Sequence, residues 1–314
     1  MIDPRQVSPE DFNYHLPEDR IAKYPLQERD ASKLVVYDHG KIIGTRFTQI
    51  DNFLPQESLI LVNETRVVHA RLKFQKETGA AIEIFCLEPF LPETDMQKAF
   101  SCKGPVTWKC LIGNAKKWKT GKLKISVSAE GDDFNLFALK KENIGEAYLV
   151  EFSWDKEDIT LSEVLQNAGS VPLPPYLNRE AEEQDDIRYQ TVFARNEGSV
   201  AAPTAGLHMT DKVIKKLKNK GITFEAVTLH VSAGTFKPVS APNIGKHEMH
   251  SENMRVDRRF LETLINESTR HVVATGTTTL RTIESLYWLG TRYLKEKQLK
   301  DHHLSQWEPY QYQE

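Results

Sequence analysis

The pattern of apolar and polar positions divides the chain into a central stretch of alternating strands and flanking stretches in which strands and helices alternate. In the central stretch, apolar residues recur at every second position in five short segments bounded by Gly, Asn and Asp turns: 80–88, 107–113, 121–129, 134–142 and 147–154. Several alternating strands at close spacing predict a small antiparallel β-barrel. We therefore expect residues 73–154 to form an inserted β-barrel domain.

The flanking stretches predict an α/β domain. Before the central stretch, strands are expected at residues 34–37, 59–62 and 67–74. After residue 160, the pattern predicts helices and two strands, with helices at 160–169, 211–221, 257–269 and 279–297 and strands at 224–231 and 271–276. This alternation is typical of a mixed sheet with covering helices. The expected fold class is therefore α/β, with residues 1–72 and 155–314 forming one discontinuous catalytic domain.

Composition adds limits on location and covalent structure. The 314 residues are 39% hydrophobic and 27% charged, as in ordinary soluble globular proteins. The sequence has no apolar run long enough for a bilayer and no apolar signal segment at its start, so a cytoplasmic monomer with no membrane partner is expected. Three cysteines without a C-x-x-C pair support neither a zinc knuckle nor a disulfide framework. The net charge of -3 argues against a protein that is basic all over.

Two segments, GSVAAPTAGLHMT at 198–210 and TLHVSAGTFKPV at 228–239, concentrate small residues, hydroxyls and histidines. The small residues leave room for a ligand to approach backbone N–H groups, and His208 and His230 exchange protons near neutral pH. Each histidine alone is more easily explained as a buried structural residue in a tight connection. The paired arrangement favours two walls of one pocket.

Two further segments carry candidate chemistry. Residues 271–286 are predicted as a strand, a Gly-Thr-Thr-Thr turn and a helix, so Thr277, Thr278 and Arg281 are placed to bind a carboxylate or phosphate, with an ordinary helix cap as the alternative. The segment KHEMHSENM at 246–254 contains three groups that could bind a metal or transfer protons: His247, Glu248 and His250. Because it lacks the H-E-x-x-H spacing, acid–base chemistry is favoured over a metal site.

Three other polar features are candidates for substrate contact. A lysine-rich stretch at 103–124, with Trp108 and Trp118, suggests a phosphate-binding patch with stacking rings, although such a face is often only solvated. Tyr176 follows a rigid proline segment that is explained equally well as a connector. A polar junction after the buried strand at 59–62 is also positioned for a site, and it includes Asn63, Glu64 and Arg66.

Taken together, these segments resemble the S-adenosylmethionine:tRNA ribosyltransferase-isomerase family of queuosine biosynthesis. The resemblance runs nearly end to end, through RIAKYPLQERDASKLVV, VNETRVVHARL, VPLPPYL, RYQTVFA, GSVAAPTAGLHMT, TLHVSAGTF, HEMHSE and GTTTLRTIESL. It implies an α/β domain with an inserted small β-barrel. It also implies that the ribosyl part of S-adenosylmethionine is isomerised and placed on the 7-aminomethyl-7-deazaguanine base at the wobble position of tRNA. Adenine and methionine leave, the product is epoxyqueuosine in tRNA, and no metal is required.

The chemistry implied by the resemblance needs a base beside the sulfonium, an acid for the departing adenine and groups that hold the methionine carboxylate. Our candidates for proton transfer are His208 and His230, with Glu248 and His250 as alternates. The residues expected to bind S-adenosylmethionine, as co-substrate, are Thr204, Gly206, Thr235, Thr277, Thr278 and Arg281. Those expected to contact tRNA carrying the deazaguanine precursor are Asn63, Glu64, Arg66, Tyr176, Lys116 and Lys117.

The chain departs from the family pattern in two respects. The family commonly has Asp at Glu64, Phe at Met209 and Gly at Ser232. Its members also continue with a Thr-Asn-Phe-His motif and a hydrophobic helix, so the resemblance implies that the C-terminal part of the catalytic domain is missing. The alternative function is therefore a tRNA-binding relative or fragment without turnover. A metal-dependent hydrolase built on His230, His247 and His250 is a third hypothesis.

Overall fold

The computed structural model describes residues 3–128, 133–232, 239, 241–299 and 301–312. The strands are β1 Lys33–Asp38, β2 Lys41–Arg46, β3 Leu59–Asn63, β4 Thr65–Val67, β5 Arg71–Gln75, β6 Ala81–Leu91, β7 Val106–Gly113, β8 Lys122–Val127, β9 Phe134–Ile144, β10 Ala147–Trp154, β11 Gly169–Ser170, β12 Asn196–Ser199, β13 Thr223–His230, β14 Asn253–Arg255 and β15 Val272–Ala274. The α-helices are α1 Met96–Phe100, α2 Leu161–Ala168, α3 Glu183–Arg188, α4 Asp211–Asn219, α5 Arg258–Asn266 and α6 Thr277–Glu296.

A four-stranded mixed sheet with the order β14-β13-β3-β15 carries the candidate site at its carboxyl edge. The central strand β3 is buried along its whole length and runs parallel to β13 and β15, as its continuous apolar sequence predicts. On one face Ile60 and Val62 pack against α4, and on the other Leu59 and Leu61 pack against α5 and α6. The expected mixed α/β sheet with covering helices is confirmed.

The helices that cover this sheet begin where their sequences provide capping groups. The Thr210 and Asp257 side chains accept hydrogen bonds from backbone N–H groups in the first turns of α4 and α5. The 20-residue α6 instead follows Gly276, which has φ +91 and provides no side-chain cap. The described part of the chain contains no helix with the length and apolar character needed to cross a membrane.

The central stretch forms a curled antiparallel sheet of seven strands in the order β11-β5-β6-β7-β10-β9-β8. Its concave side encloses a core that includes Phe74, Trp108, Trp118 and Phe152. The edge strand β8 approaches β5, the neighbour of the short edge strand β11, but no backbone ladder joins β5 and β8 in the described residues, so the sheet is a half-barrel. Both β5 and β11 include residues outside 73–154. A separate inserted domain over residues 73–154 stays a prediction.

The single strand expected at residues 67–74 was wrong, because the chain changes sheet within it. Residues 65–67 form β4, which pairs in parallel with β12, whereas residues 71–75 form β5, which pairs with β6. At the crossing, the Val68 N–H donates to the Ser199 carbonyl and the Ala70 carbonyl accepts from Cys86. The alternating apolar pattern of residues 67–74 continues through this crossing, because both sheets bury apolar side chains. The pattern therefore does not show that the hydrogen-bonding partner changes.

Candidate active site

His230, the last residue of β13, lies at the carboxyl edge of the mixed sheet with its Nδ1 atom 3.1 Å from the Gly198 carbonyl oxygen. Since a carbonyl only accepts, this contact requires a hydrogen on Nδ1 and leaves the Nε2 lone pair available. Burial lowers the pKa of His230 below its usual range, while the Gly198 hydrogen bond and the charge of Asp95 act in the opposite direction. His230 is therefore a neutral imidazole at neutral pH.

His230 and Gly198 line a small recess of about 20 Å³ that adjoins a larger open cleft of about 640 Å³. The recess and the cleft share Ser232 and Ser251 in their walls. The cleft lies between the curled sheet and the loop that precedes β14. Its charged and titratable lining consists of Glu88, Lys109, Glu146, His247, Glu248 and His250. Three of the four predicted proton-transfer residues, His230, Glu248 and His250, thus line one continuous space.

The loop that lines this cleft also contains a buried carboxylate, that of Glu252. The Glu252 side chain is only 4% exposed, and its Oε1 lies 3.2 Å from the Nε2 atom of His250. Its Oε2 lies 3.5 Å from an Arg281 guanidinium nitrogen, and the other terminal nitrogen of Arg281 donates to the His250 carbonyl at 3.2 Å. Arg281, predicted to bind the cofactor, therefore ties α6 to the histidine loop.

His208 has a different environment from His230. Its Nδ1 lies 3.2 Å from the Arg29 carbonyl oxygen, and its ring packs 5.4 Å from that of Phe47. In the described part of the chain it is not among the residues that line the cleft or the recess. The sequence interpretation treated His208 and His230 as two walls of one pocket. In the structure, only His230 lines the recess beside the cleft.

The turn that contains Thr204, Gly206 and His208 lies against the start of α6. A side chain at Gly276 would meet Ala205 at 3.4 Å, so these two segments are in van der Waals contact distance. Thr277 is exposed and Thr278 is partly exposed in the uncapped first turn of α6. Four predicted cofactor residues are thus neighbours through this packing: Thr204, Gly206, Thr277 and Thr278. Thr235 lies outside the described residues.

Asn63 and Glu64 hold the strands together at the sheet edge. The buried Asn63 side chain donates to the Leu229 carbonyl at 3.0 Å and accepts from the Leu229 N–H at 3.2 Å. Glu64 accepts hydrogen bonds from Asn196 at 3.0 Å and Thr228 at 3.1 Å. The Asn63 side chain therefore positions the end of β13. Because Asn63 is only 2% exposed, a substrate cannot reach its amide.

The remaining predicted substrate residues lie apart from the cleft lining. Arg66 is exposed at the rim of a separate pocket of about 100 Å³, whose wall also includes His69 and Asp186. Tyr176 is 62% exposed, and both Lys116 and Lys117 lie on the surface in a short 3-10 turn. The structure therefore does not gather these residues around His230.

The expectation that Trp108 and Trp118 form stacking rings among the lysines was wrong. Trp108 is 2% exposed and Trp118 is fully buried, and the Trp118 indole donates to the Gly121 carbonyl at 3.0 Å. Both rings fill the core of the curled sheet. Trp108 points inward because alternate residues of its strand β7 face opposite sides, and Trp118 is buried at the end of the short 3-10 turn that follows β7. A base could not stack on either ring without unfolding the sheet.

Two residues that the sequence interpretation missed shape the candidate site, namely Gly198 and Glu252. A Cβ atom at residue 198 would lie 2.3 Å from the His230 Nδ1, and the φ of Gly198 is +136. Glu252 follows His250 by two positions, which was the available signal for it. Among the described residues no group of three or more histidine, cysteine, aspartate or glutamate side chains is arranged to hold a metal ion.

Comparison with known proteins identifies the family. A family model described as queuosine biosynthesis protein matches residues 9–305. The chain belongs to this family. Relatives named S-adenosylmethionine:tRNA ribosyltransferase-isomerase include one from Trichlorobacter lovleyi, 38% identical over 87% of this chain and 75% of the relative. Another, from Sulfurihydrogenibium sp., is 40% identical over 88% of this chain and 76% of the relative.

A solved structure is also similar in sequence to this chain. It is the S-adenosylmethionine tRNA ribosyltransferase of Thermotoga maritima, which is 26% identical and matches 88% of this chain and 72% of that chain, with a TM-score of 0.37. The family membership rests on the sequence matches, which span both the curled sheet and the mixed sheet.

Proposed function

We propose that this member of the queuosine biosynthesis family is an S-adenosylmethionine-dependent tRNA ribosyltransferase-isomerase. It transfers and isomerises the ribosyl group of S-adenosylmethionine onto 7-aminomethyl-7-deazaguanine in tRNA, which gives epoxyqueuosine and releases adenine and methionine. The observation that carries the proposal is the match of relatives with this named activity at 38–40% identity over 87–88% of the chain. The sheet edge with His230 and His250 supplies side chains suited to the two proton transfers.

In this proposal His230 is the base that removes the proton beside the sulfonium. Its Nδ1–H is held by the Gly198 carbonyl, so Nε2 is the accepting atom, and the lowered pKa keeps the ring neutral. His208 is less suited to this step, because its ring packs on Phe47 and it does not line the described recess.

The cleft beside His230 is suited to a cationic co-substrate. Glu88, Glu146 and Glu248 line it, and a concentration of carboxylates stabilises a positive charge such as a sulfonium. Lys109 is paired with Glu88 at 2.8 Å, which offsets part of its charge. Glu248 and His250 are the candidates for protonating the departing adenine, and no step in this scheme calls for a metal.

The carboxylate of the methionine moiety is assigned to the start of α6. A 20-residue helix without a side-chain cap has N–H groups that favour an anion, and Thr277 and Thr278 add hydroxyl donors there. Thr204 and Gly206 lie on the neighbouring turn, whose Ala205 packs near Gly276. Arg281 lies one turn further along α6, with its guanidinium 43% exposed.

The nucleic-acid partner in this proposal is tRNA that carries the precursor base at the wobble position. Residues 73–154 act as an inserted domain whose exposed Lys116 and Lys117 contact the phosphate backbone, and Arg66 and Tyr176 extend the contact surface. The protein works as a cytoplasmic monomer.

The decisive experiment is incubation of the protein with S-adenosylmethionine and precursor-bearing tRNA, followed by nuclease digestion and mass spectrometry. Epoxyqueuosine should form together with equimolar adenine and methionine, and tRNA without the precursor should give none of the three. Salt-sensitive tRNA binding without product would instead support the alternative of a tRNA-binding relative that lacks turnover.

A further inference from the structure

We propose that Glu252 is a positioning residue that fixes the tautomer of His250 and holds Arg281 against the cleft wall. Its catalytic consequence rests on the proposed function, because His250 is there a candidate for protonating the departing adenine. Its structural consequence, the orientation of His250, is measurable without any substrate. Glu252 itself is not among the described cleft-lining residues, so it acts through its neighbours.

The contacts around Glu252 form a closed triangle. Oε1 of Glu252 lies 3.2 Å from the His250 Nε2, and Oε2 lies 3.5 Å from Nη1 of Arg281. The third side is the hydrogen bond from Nη2 of Arg281 to the His250 carbonyl at 3.2 Å. Each carboxylate oxygen thus faces a different partner, and rotation of the carboxylate would break both contacts. The triangle joins the loop before β14 to the first turns of α6.

The burial of the Glu252 carboxylate has a cost in free energy that its partners must offset. A carboxylate that is only 4% exposed is costly unless it is paired with a cation and hydrogen-bonded. Arg281 supplies the cation while its guanidinium remains 43% exposed, so one end of the pair reaches solvent. Both contacts of Glu252 therefore contribute to keeping the carboxylate in place, and the loss of Arg281 would leave a buried charge without this partner.

The chemical result concerns which nitrogen of His250 can exchange a proton with a bound substrate. A carboxylate accepts hydrogen bonds, so Nε2 of His250 carries the hydrogen and Nδ1 carries the lone pair in the neutral ring. Nδ1 is then the atom that takes up a proton and, once protonated, can donate it to the departing adenine. His230 has the opposite tautomer, because its Nδ1 donates to Gly198. Since His230 pairs with Asn253 across β13 and β14, the two histidines flank the same edge with complementary tautomers. A neighbouring acceptor commonly orients a functional histidine in this way.

The direct test is the ¹⁵N NMR spectrum of histidine-labelled protein, in which Nδ1 and Nε2 shifts report the tautomer of each neutral ring. The His250 signal is assigned by its loss in His250→Gln. The wild type should show His250 with hydrogen on Nε2, and Glu252→Ala should show a mixture of both tautomers. Glu252→Gln keeps an acceptor oxygen, so it should stay closer to the wild type. An unchanged His250 tautomer in Glu252→Ala would overturn the inference.

Kinetics on the same variants test the consequence for turnover. In Glu252→Ala, kcat should fall by at least about tenfold, within the range for loss of acid–base assistance, and KM for S-adenosylmethionine should rise as well, because Arg281, a candidate cofactor-binding residue, loses its carboxylate partner. The matched control is Glu267→Ala, which removes another partly buried glutamate–arginine pair, with Arg270, on the C-terminal side of α5. The control should leave both kcat and the His250 tautomer unchanged.

The two readouts separate failure of the inference from failure of the proposed function. A wild type without turnover would reject the proposed function, while the tautomer measurement would still decide the role of Glu252. A changed tautomer with undiminished kcat would reject the catalytic consequence alone. Circular dichroism and thermal melting of each variant identify any unfolding, and Glu252→Gln then provides the milder perturbation.

Discussion

The Nδ1 atom of His230 lies 3.1 Å from the carbonyl oxygen of Gly198, and the backbone of residue 198 can come this close only because it has no side chain. A Cβ there would lie 2.3 Å from Nδ1 of His230 and 2.9 Å from Cγ of Met96. In addition, Gly198 has a φ of +136, a backbone conformation that residues with L side chains rarely adopt. One glycine thus determines both the position and the tautomer of the candidate base.

Gly198→Ala should therefore displace His230 and reduce turnover. The added methyl group must push the imidazole away from the Gly198 carbonyl, and backbone strain and overpacking should also destabilise the fold by about 1–3 kcal/mol. We expect kcat for the proposed reaction to fall by at least about tenfold. Steady-state kinetics and urea unfolding of the purified variant measure both effects.

The control for Gly198→Ala is Gly79→Ala. Gly79 also has a positive φ, of +80, but its added Cβ would meet nothing within 4 Å. Gly79→Ala should thus cost stability through strain alone and leave kcat unchanged. Equal losses of kcat in the two variants would contradict the assignment of His230 as the base.

The stability of the protein should fall in acid because of His230. Burial lowers the pKa of His230 below its ordinary value of 6.5. As the pH falls, His230 therefore takes up a proton in the unfolded chain at a higher pH than it does in the folded chain. The free energy of unfolding therefore decreases as the pH falls through the ordinary value, and the effect grows until the folded pKa is reached. Urea unfolding between about pH 5.5 and 7.5 should show a smaller decrease in His230→Gln than in the wild type.

A fully exposed histidine provides the comparison. The His39 side chain at the tip of the β1–β2 hairpin is 99% exposed, so His39→Asn should keep the pH dependence of the wild type. If the free energy of unfolding of His230→Gln depended on pH as strongly as that of the wild type, another group would be responsible for the acid sensitivity.

Most of the mixed sheet could be predicted from the sequence, because its periodicity is unambiguous. The apolar run of β3 and the capped start of α4 both matched their patterns. The division of residues 67–74 between β4 and β5 could not be predicted, since apolar periodicity reports burial and not the identity of the hydrogen-bonding partner. The short helices α1 and α3 also lack a full amphipathic repeat.

The candidate site was predictable by residue type but only in part by role. His230 was identified because it lies in a segment of small residues and hydroxyls, and His250 because it shares one short segment with His247 and Glu248. Asn63 has the same polar character, yet its hydrogen bonds to Leu229 place it in the framework. Trp118 was misjudged because lysines on both sides of it suggested exposure, whereas its indole is buried in the core of the curled sheet and donates to the Gly121 carbonyl. Tertiary partners, which no local pattern encodes, decided both cases.

Asn63→Ala should destabilise the protein by about 1–2 kcal/mol, since it removes the Asn63 hydrogen bonds to the buried Leu229 N–H and carbonyl, both of which keep the Thr65 hydroxyl as a second partner. The affinity for tRNA that carries the deazaguanine precursor should stay within about twofold at temperatures where the variant is folded, because the Asn63 amide is bonded to the protein backbone and does not reach a substrate. Urea unfolding and isothermal titration calorimetry measure the two quantities.

Asn167→Ala is the comparison for Asn63→Ala. Asn167 also donates a side-chain hydrogen bond to a backbone carbonyl, that of Glu163 at 2.8 Å, but it is exposed. Its loss should cost less than about 0.5 kcal/mol. A large loss of tRNA affinity in Asn63→Ala, without a loss of stability, would show that Asn63 binds the substrate after all.

The lysine turn on the curled sheet should contribute charge to tRNA binding and nothing specific to a base. The double variant Lys116→Ala/Lys117→Ala removes two exposed charges from the turn that precedes the buried Trp118. Since each phosphate contact releases counterions, the slope of log Kd against log salt concentration should decrease by roughly one per lysine. The double variant Lys215→Ala/Lys218→Ala on α4 removes equal charge from another exposed site and should leave the slope unchanged. Filter binding across a salt series measures both slopes, and an equal decrease in the two variants would mean that only net charge, and not this surface, attracts the tRNA.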